Sequence, residues 1–154
     1  MVLAEWDRPA GHEKVIEERV VTRVEELLKL GFYQPIAVDD LTGTILDGYQ
    51  KTAATGRLGL DLATVLPVDY LSDERITGEV WPKSGRASIT KADVLEMAAW
   101  GEVFPAKTSR RVMPLAPPQL ALPLGRLGRP NGTPSSARVS NWLRSLGACD
   151  WTAR

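Results

Sequence analysis

The clearest periodicity in the chain runs from Val15 to Leu30. Ile16, Val20, Val24, Leu27 and Leu28 recur at three- and four-residue spacing, and Glu17, Glu18, Arg23, Glu25, Glu26 and Lys29 fill the remaining positions. This pattern predicts an amphipathic helix with one apolar stripe against a core. Gly31 follows as a residue that readily takes the positive φ of a helix end. Next come two short apolar runs, Pro35-Ile36-Ala37-Val38 and Thr44-Ile45-Leu46, joined by Asp39-Asp40-Leu41-Thr42-Gly43. Turn residues between two apolar runs predict a hairpin. Asp47-Gly48 ends the second strand, and Tyr49 to Arg57 reads as a helix with Ala53 and Ala54 on its packed side.

Ala63 to Tyr70 is rich in Val and Leu and predicts a third strand, with Pro67 marking an edge or a bulge. Ile76 to Trp81 reads as a fourth. Thr90 with Asp93 is a capping-box variant opening a helix through Val94, Leu95, Met97, Ala98 and Ala99, stopped by Gly101. Residues 1–13 read as irregular. Phe104 to Arg111 reads as a polar, basic loop. Pro114, Pro117, Pro118 and Pro123 among leucines predict an extended segment wrapped on the surface. The fold class expected is α+β, a small mixed sheet flanked by helices. Residues 1–127 form the domain, 128–138 a flexible Gly/Pro/Asn/Ser-rich linker, and 139–154 a short basic C-terminal helix or tail.

Composition narrows the function classes. Nineteen Lys and Arg against nineteen Asp and Glu leave no net charge, which argues against a chain built to neutralise nucleic-acid backbones. No apolar run approaches the ~18 residues of a membrane span, and Met1 to Pro9 does not read as a secretory signal. The single cysteine, Cys149, excludes an internal disulfide and a cysteine-built zinc site. A reducing cytoplasm is the expected location.

Three segments could carry chemistry. Asp47-Gly48-Tyr49-Gln50-Lys51 places a turn before a helix, whose first N–H groups attract anions. Lys51 would add a mobile positive charge, and Asp47 could hold Mg²⁺. The plainer alternative is an ordinary strand–helix turn with Asp47 as cap. Lys107-Thr108-Ser109-Arg110-Arg111 gathers three cations and two hydroxyls able to clasp phosphoryl oxygens, or it is a solvated basic loop. Glu13 after His12 could be a general base, or a first-turn glutamate favoured by the helix dipole. Trp81 and Trp100 read as core, with Trp81 also able to wall a pocket.

In this order the segments resemble the ParB/sulfiredoxin-like domain, and within it the SerK-type free-serine kinases. The resemblance covers residues 5–127. It rests on His12-Glu13, on Gly31 to Tyr70 with its Asp47-Gly48 turn, on Trp81, and on Phe104 to Pro114. It implies Glu13 and Asp47 as catalytic residues, with Asp47 also the metal ligand. Gly48, Tyr49, Gln50, Lys51, Lys107, Thr108, Ser109 and Arg110 would bind nucleotide and phosphate. Trp81, Arg111 and His12 would bind the amino acid. The family's His-His-Arg after Asp-Gly is Tyr49-Gln50-Lys51 here, and the histidine after its Thr-Arg pair is Arg111. The second lobe inserted in archaeal relatives is missing between Trp81 and Ile89.

The resemblance implies a kinase that moves a phosphoryl group from ATP or ADP, with Mg²⁺, to a free amino acid, L-serine above all. The three missing histidines keep an alternative open, a non-catalytic nucleotide-binding regulatory module. Nucleotide and hydroxy amino acid are the expected partners, without nucleic acid or membrane and with room for a homodimer. Sulfiredoxin-type chemistry would require a cysteine in the phosphate turn, where Tyr49 and Gln50 stand instead.

Overall fold

A four-stranded mixed sheet organises the chain. Its strands are β1 (Val2–Glu5), β2 (Ile36–Asp39), β3 (Ile45–Asp47) and β4 (Leu62–Val68), in the order β1-β4-β2-β3. β2 and β4 run parallel, whereas β1/β4 and β2/β3 are antiparallel. Parallel neighbours need a long crossover, and α2 (Tyr49–Arg57) lies on it between β3 and β4. A separate antiparallel pair joins β5 (Thr77–Val80) to β6 (Ser109–Val112). The other helices are α1 (Glu17–Leu30), α3 (Lys91–Ala99) and a short 3-10 turn, Leu124–Arg126. This computed structural model describes residues 1–5, 11, 13–114 and 116–128. His12, all but Gly128 of the expected linker, and the tail 139–154 lie outside the described residues. The α+β class is as expected.

Both faces of the sheet carry core. Ile36 and Val38 of β2 pack with Val20 and Leu27 of α1, Ala53 and Ala54 of α2, and Phe32. Ala37, between them, belongs to a second cluster with Leu46, Tyr70, Ile76, Val94 of α3 and Phe104. Successive strand residues point to opposite faces, so a doubly covered strand reads as an unbroken apolar run. Each large apolar side chain buried this way contributes about 1.5–3 kcal/mol.

α1 buries Val20 and Leu27 as its stripe requires, but Leu28 is largely exposed. It lies 100° further round the helix than Leu27, past the edge of the buried face. Gly31 closes the helix at φ +73, and its N–H donates to the Leu27 carbonyl at 2.9 Å. A Cβ there would stand 2.5 Å from the Leu122 carbonyl oxygen. The glycine thus also admits the proline-rich segment, which pairs with Phe32 through Leu122 and donates from Leu120 N to the Tyr33 carbonyl at 2.7 Å. That segment is not simply wrapped on the surface. Leu122 and Leu124 pack on the first core and Leu127 is fully buried within it.

Three further expectations are corrected, and the edge expected at Pro67 is found. Residues 1–13 are not wholly irregular, because β1 pairs with β4 from Val2↔Val65 to Glu5↔Leu62. Pro67 lies beyond that pairing and is exposed. β4 pairs with β1 over Leu62–Val65 and with β2 over Val65–Val68, so Pro67 is bordered by a strand on one side alone, at an edge where a missing N–H is tolerated. Phe104 to Arg111 is not all loop, since its end forms β6 against β5. Trp100 is not core: it caps the C-terminus of α3 and is mostly exposed.

α3 starts at a full capping box. Thr90 accepts from Asp93 N at 3.1 Å, and the Asp93 carboxylate accepts from Thr90 N at 2.7 Å. Thr90→Ala leaves one of those donors without its partner. The expected loss is about 1 kcal/mol of stability, read from urea unfolding midpoints at unchanged m-value.

Candidate functional site

The β3–α2 turn, the start of α1 and strand β6 face one cavity of about 380 Å³. It is lined from the turn side by Asp47, Gly48, Tyr49, Gln50 and Lys51, and from the β6 side by Lys107, Ser109, Arg110 and Arg111. Glu13 and Trp81 line it as well. Segments sixty residues apart in sequence therefore share one space.

On the turn side, Gly48 is the N-cap of α2 at φ +100, with no side-chain cap and no acid in the first turn. Asp47 is not the cap but the exposed last residue of β3. The positive pole of α2 thus opens toward the cavity without an internal anion. Tyr49 turns its hydroxyl back onto the Ile45 carbonyl, so its phenol is engaged within the turn. Gln50 accepts from Ile16 N at 3.0 Å, which ties the turn to the start of α1 and leaves its amide NH₂ as the donating end.

Lys51 is not a mobile surface charge. It is 7% exposed, donates to the Gln34 carbonyl at 3.0 Å, and lies over the Tyr33 ring at 4.7 Å from its centroid. Burial lowers its pKa from the ordinary 10.5 to about 8, against the pull of Asp47. The unfolded chain therefore holds this proton more tightly, and stability rises with pH between about 8 and 10.5. Lys51→Met should raise the melting temperature of the free protein at pH 7, with the gain shrinking as pH climbs through that window. A lower Tm at pH 7 would contradict the burial penalty.

On the other side, Glu13 is bridged to Phe104, and Lys14 N donates to the Phe104 carbonyl at 2.9 Å. Glu13 is not in a helical first turn, since α1 begins at Glu17. Its carboxylate accepts from Lys107 N, from Ser109 N at 3.1 Å and from Ser109 Oγ at 3.1 Å. Burial raises its pKa above the ordinary carboxylate value, outweighing these bonds and the nearby Arg111 charge, which lower it. Lys107 is the one non-glycine residue at positive φ among the described residues, at +59. The Glu13 bond to its N–H helps hold that uncommon backbone conformation.

The remaining β6 residues divide. Arg111 Nη1 donates to Ser109 Oγ at 2.7 Å. Arg110 pairs with Glu79, its register partner on β5, and stacks on Trp81 at 5.2 Å, while Lys107 approaches the same ring at 5.9 Å. Trp81 is therefore a partly exposed wall of the cavity rather than core. Thr108 departs from expectation: it is buried, its hydroxyl donates to the Pro105 carbonyl at 2.8 Å, and it does not line the cavity.

Solved structures with a similar fold include a free serine kinase mutant in complex with ADP. That chain superposes with a TM-score of 0.75 at 17% identity, covering 82% of this chain and 93% of its own. A free serine kinase in complex with AMP gives 0.73 at 17%, covering 82% and 92%. SbnI with C-terminal truncation from Staphylococcus aureus gives 0.69 at 11%, covering 95% of both chains. This chain shares their fold. No family model and no curated protein matches it in sequence.

Sequence reasoning missed one wall. Lys14, Arg19, Arg23, Tyr33 and Gln34 also line the cavity. Arg19 and Arg23 are one helical turn apart, so they share a face of α1; that spacing is the available signal, hidden because Arg23 reads as one charge among many on the polar face and Arg19 carries no motif of its own. With them the cavity gathers seven Lys and Arg against two carboxylates, Glu13 and Asp47, in a chain of zero net charge. Such a space concentrates and orients a polyanion.

Proposed function

We propose that this chain is a phosphotransferase of the ParB/sulfiredoxin-like superfamily that moves a phosphoryl group from ATP or ADP to the hydroxyl of a free amino acid, L-serine giving O-phospho-L-serine. The observation that carries the reading is the excess of seven cations over two carboxylates in one cavity, with Glu13 among them. Phosphoryl transfer is mainly positioning and charge stabilisation, and the lining supplies both. The α2 N-terminus, Gln50 and Lys51 would hold the donor phosphates. Lys107, Ser109 and Arg110 would hold the transferring group. Trp81 would wall the amino acid, with Arg111 toward its carboxylate. Glu13 would take the hydroxyl proton as the serine oxygen bonds to phosphorus and the nucleotide departs.

Glu13 and Asp47 are the acids of the cavity, and no group of three or more His, Cys, Asp and Glu is assembled among the described residues. This donor set fits a Mg²⁺ carried in on nucleotide phosphates and steadied by Asp47, rather than a protein-built cage. Bound there, the ion would neutralise phosphate charge.

One observation favours a binding module without turnover: both Glu13 oxygens already accept hydrogen bonds from the β6 segment, as a purely structural carboxylate would. Incubation with L-serine, Mg²⁺ and ATP or ADP, followed by mass detection of O-phosphoserine, separates the two. Product formation supports the kinase. Saturable nucleotide binding with no product, over a range of hydroxy amino acids, supports the module.

A further inference from the structure

Resting on the reading of Lys51 as a phosphate ligand, we infer that Tyr33 is a positioning residue that aims the Lys51 ammonium into the cavity. An ammonium has three N–H donors. One goes to the Gln34 carbonyl at 3.0 Å, and the face of Tyr33 lies 4.7 Å from the nitrogen. Lys51 also lines the cavity, so a further N–H can serve an anion held there.

The ring is itself fixed. Its hydroxyl donates to Glu26 Oε2 at 2.6 Å and accepts from Arg23 Nη1 at 3.1 Å, while Arg23 and Glu26 pair with each other on α1. Burial and Glu26 hold the phenol above its ordinary pKa, so it stays a donor at neutral pH. The Leu120 hydrogen bond to its carbonyl fixes the backbone. A chain of contacts thus runs from α1 through the phenol to the ammonium. The charged groups acting on Lys51 are Asp47 from β3, and Arg23 and Glu26 from α1. None of them supplies the apolar face that Tyr33 does.

The test is a double-mutant cycle on ADP affinity, measured by calorimetry at pH 7.0 and 9.5 on the full chain. Tyr33→Leu should weaken ADP binding about tenfold at pH 7.0, and Tyr33→Phe, which keeps the ring and loses its anchor, by less. In the Lys51→Met background Tyr33→Leu should have no further effect, and at pH 9.5 the wild-type penalty should shrink. Equal Tyr33→Leu penalties in both backgrounds overturn the positioning role and leave the nucleotide site standing. If Tyr33→Leu fails to fold by circular dichroism, Tyr33→Phe carries the same cycle. No ADP binding by the wild-type chain overturns the nucleotide reading, and this inference with it.

Discussion

Glu13→Gln should lower kcat for phosphoserine formation by about 10²–10⁴-fold, the range for removing a general base. Two opposing influences meet on this carboxylate: three hydrogen bonds from the β6 segment favour its ionised form, yet burial outweighs them and raises its pKa. A raised pKa moves a carboxylate closer to neutrality and makes it a better proton acceptor at working pH. Activity should fall as pH drops through that raised value, and the acid limb should vanish in the Gln variant. Gln also turns one acceptor into an NH₂ facing Lys107 N or Ser109 N, so some stability is lost as well. The two effects separate in the kinetics. A missing base lowers kcat at nearly unchanged ADP affinity, whereas a loosened β6 segment weakens ADP binding in step with the rate. An unchanged kcat removes Glu13 from the chemistry.

Gly48→Ala should produce the second largest effect. The residue sits at φ +100, where side chains are strained, and an added Cβ would meet Ile36 Cγ1 at 3.3 Å and Cγ2 at 3.4 Å. Ile36 is fully buried in the first core and has little room to yield. The backbone penalty is about 1–3 kcal/mol, and at this chain length each kcal/mol lowers Tm by about 2–4 °C. If the turn relaxes to escape the contact, the first N–H groups of α2 rotate away from the cavity, and ADP affinity should fall about tenfold, ~1.4 kcal/mol. Thermal melts and calorimetry read the two consequences independently. Wild-type values in both would contradict the left-handed glycine at the head of α2.

The legible parts of the fold are those where local chemistry and tertiary packing agree. α2 runs from Tyr49 to Arg57 as read, because Asp47-Gly48 breaks the strand and Ala53 and Ala54 have a core to meet. The Thr90–Asp93 box fixes α3 by side-chain geometry that needs no tertiary partner. The missed elements depend on distant partners. β1 is a strand because β4 offers an edge, and β6 because Glu79 of β5 sits opposite Arg110. A Ser-Arg-Arg-Val stretch carries no period of its own. The site follows the same division. The Asp47–Lys51 turn and the basic cluster are visible as compact motifs. The hydroxyl of Thr108 facing Pro105, the burial of Lys51 and the Arg19–Arg23 wall are set by how α1, the Tyr33 loop and β6 pack together.

The central claim is that one phosphorylated guest touches both the head of α2 and β6. Titrating ¹⁵N-labelled protein with ADP and Mg²⁺ tests it directly. The amides of Gly48, Tyr49, Gln50 and Lys51 should shift together with those of Lys107, Ser109, Arg110 and Arg111, all along one binding isotherm. Shifts confined to one of the two segments, or two segments following different dissociation constants, would contradict the account.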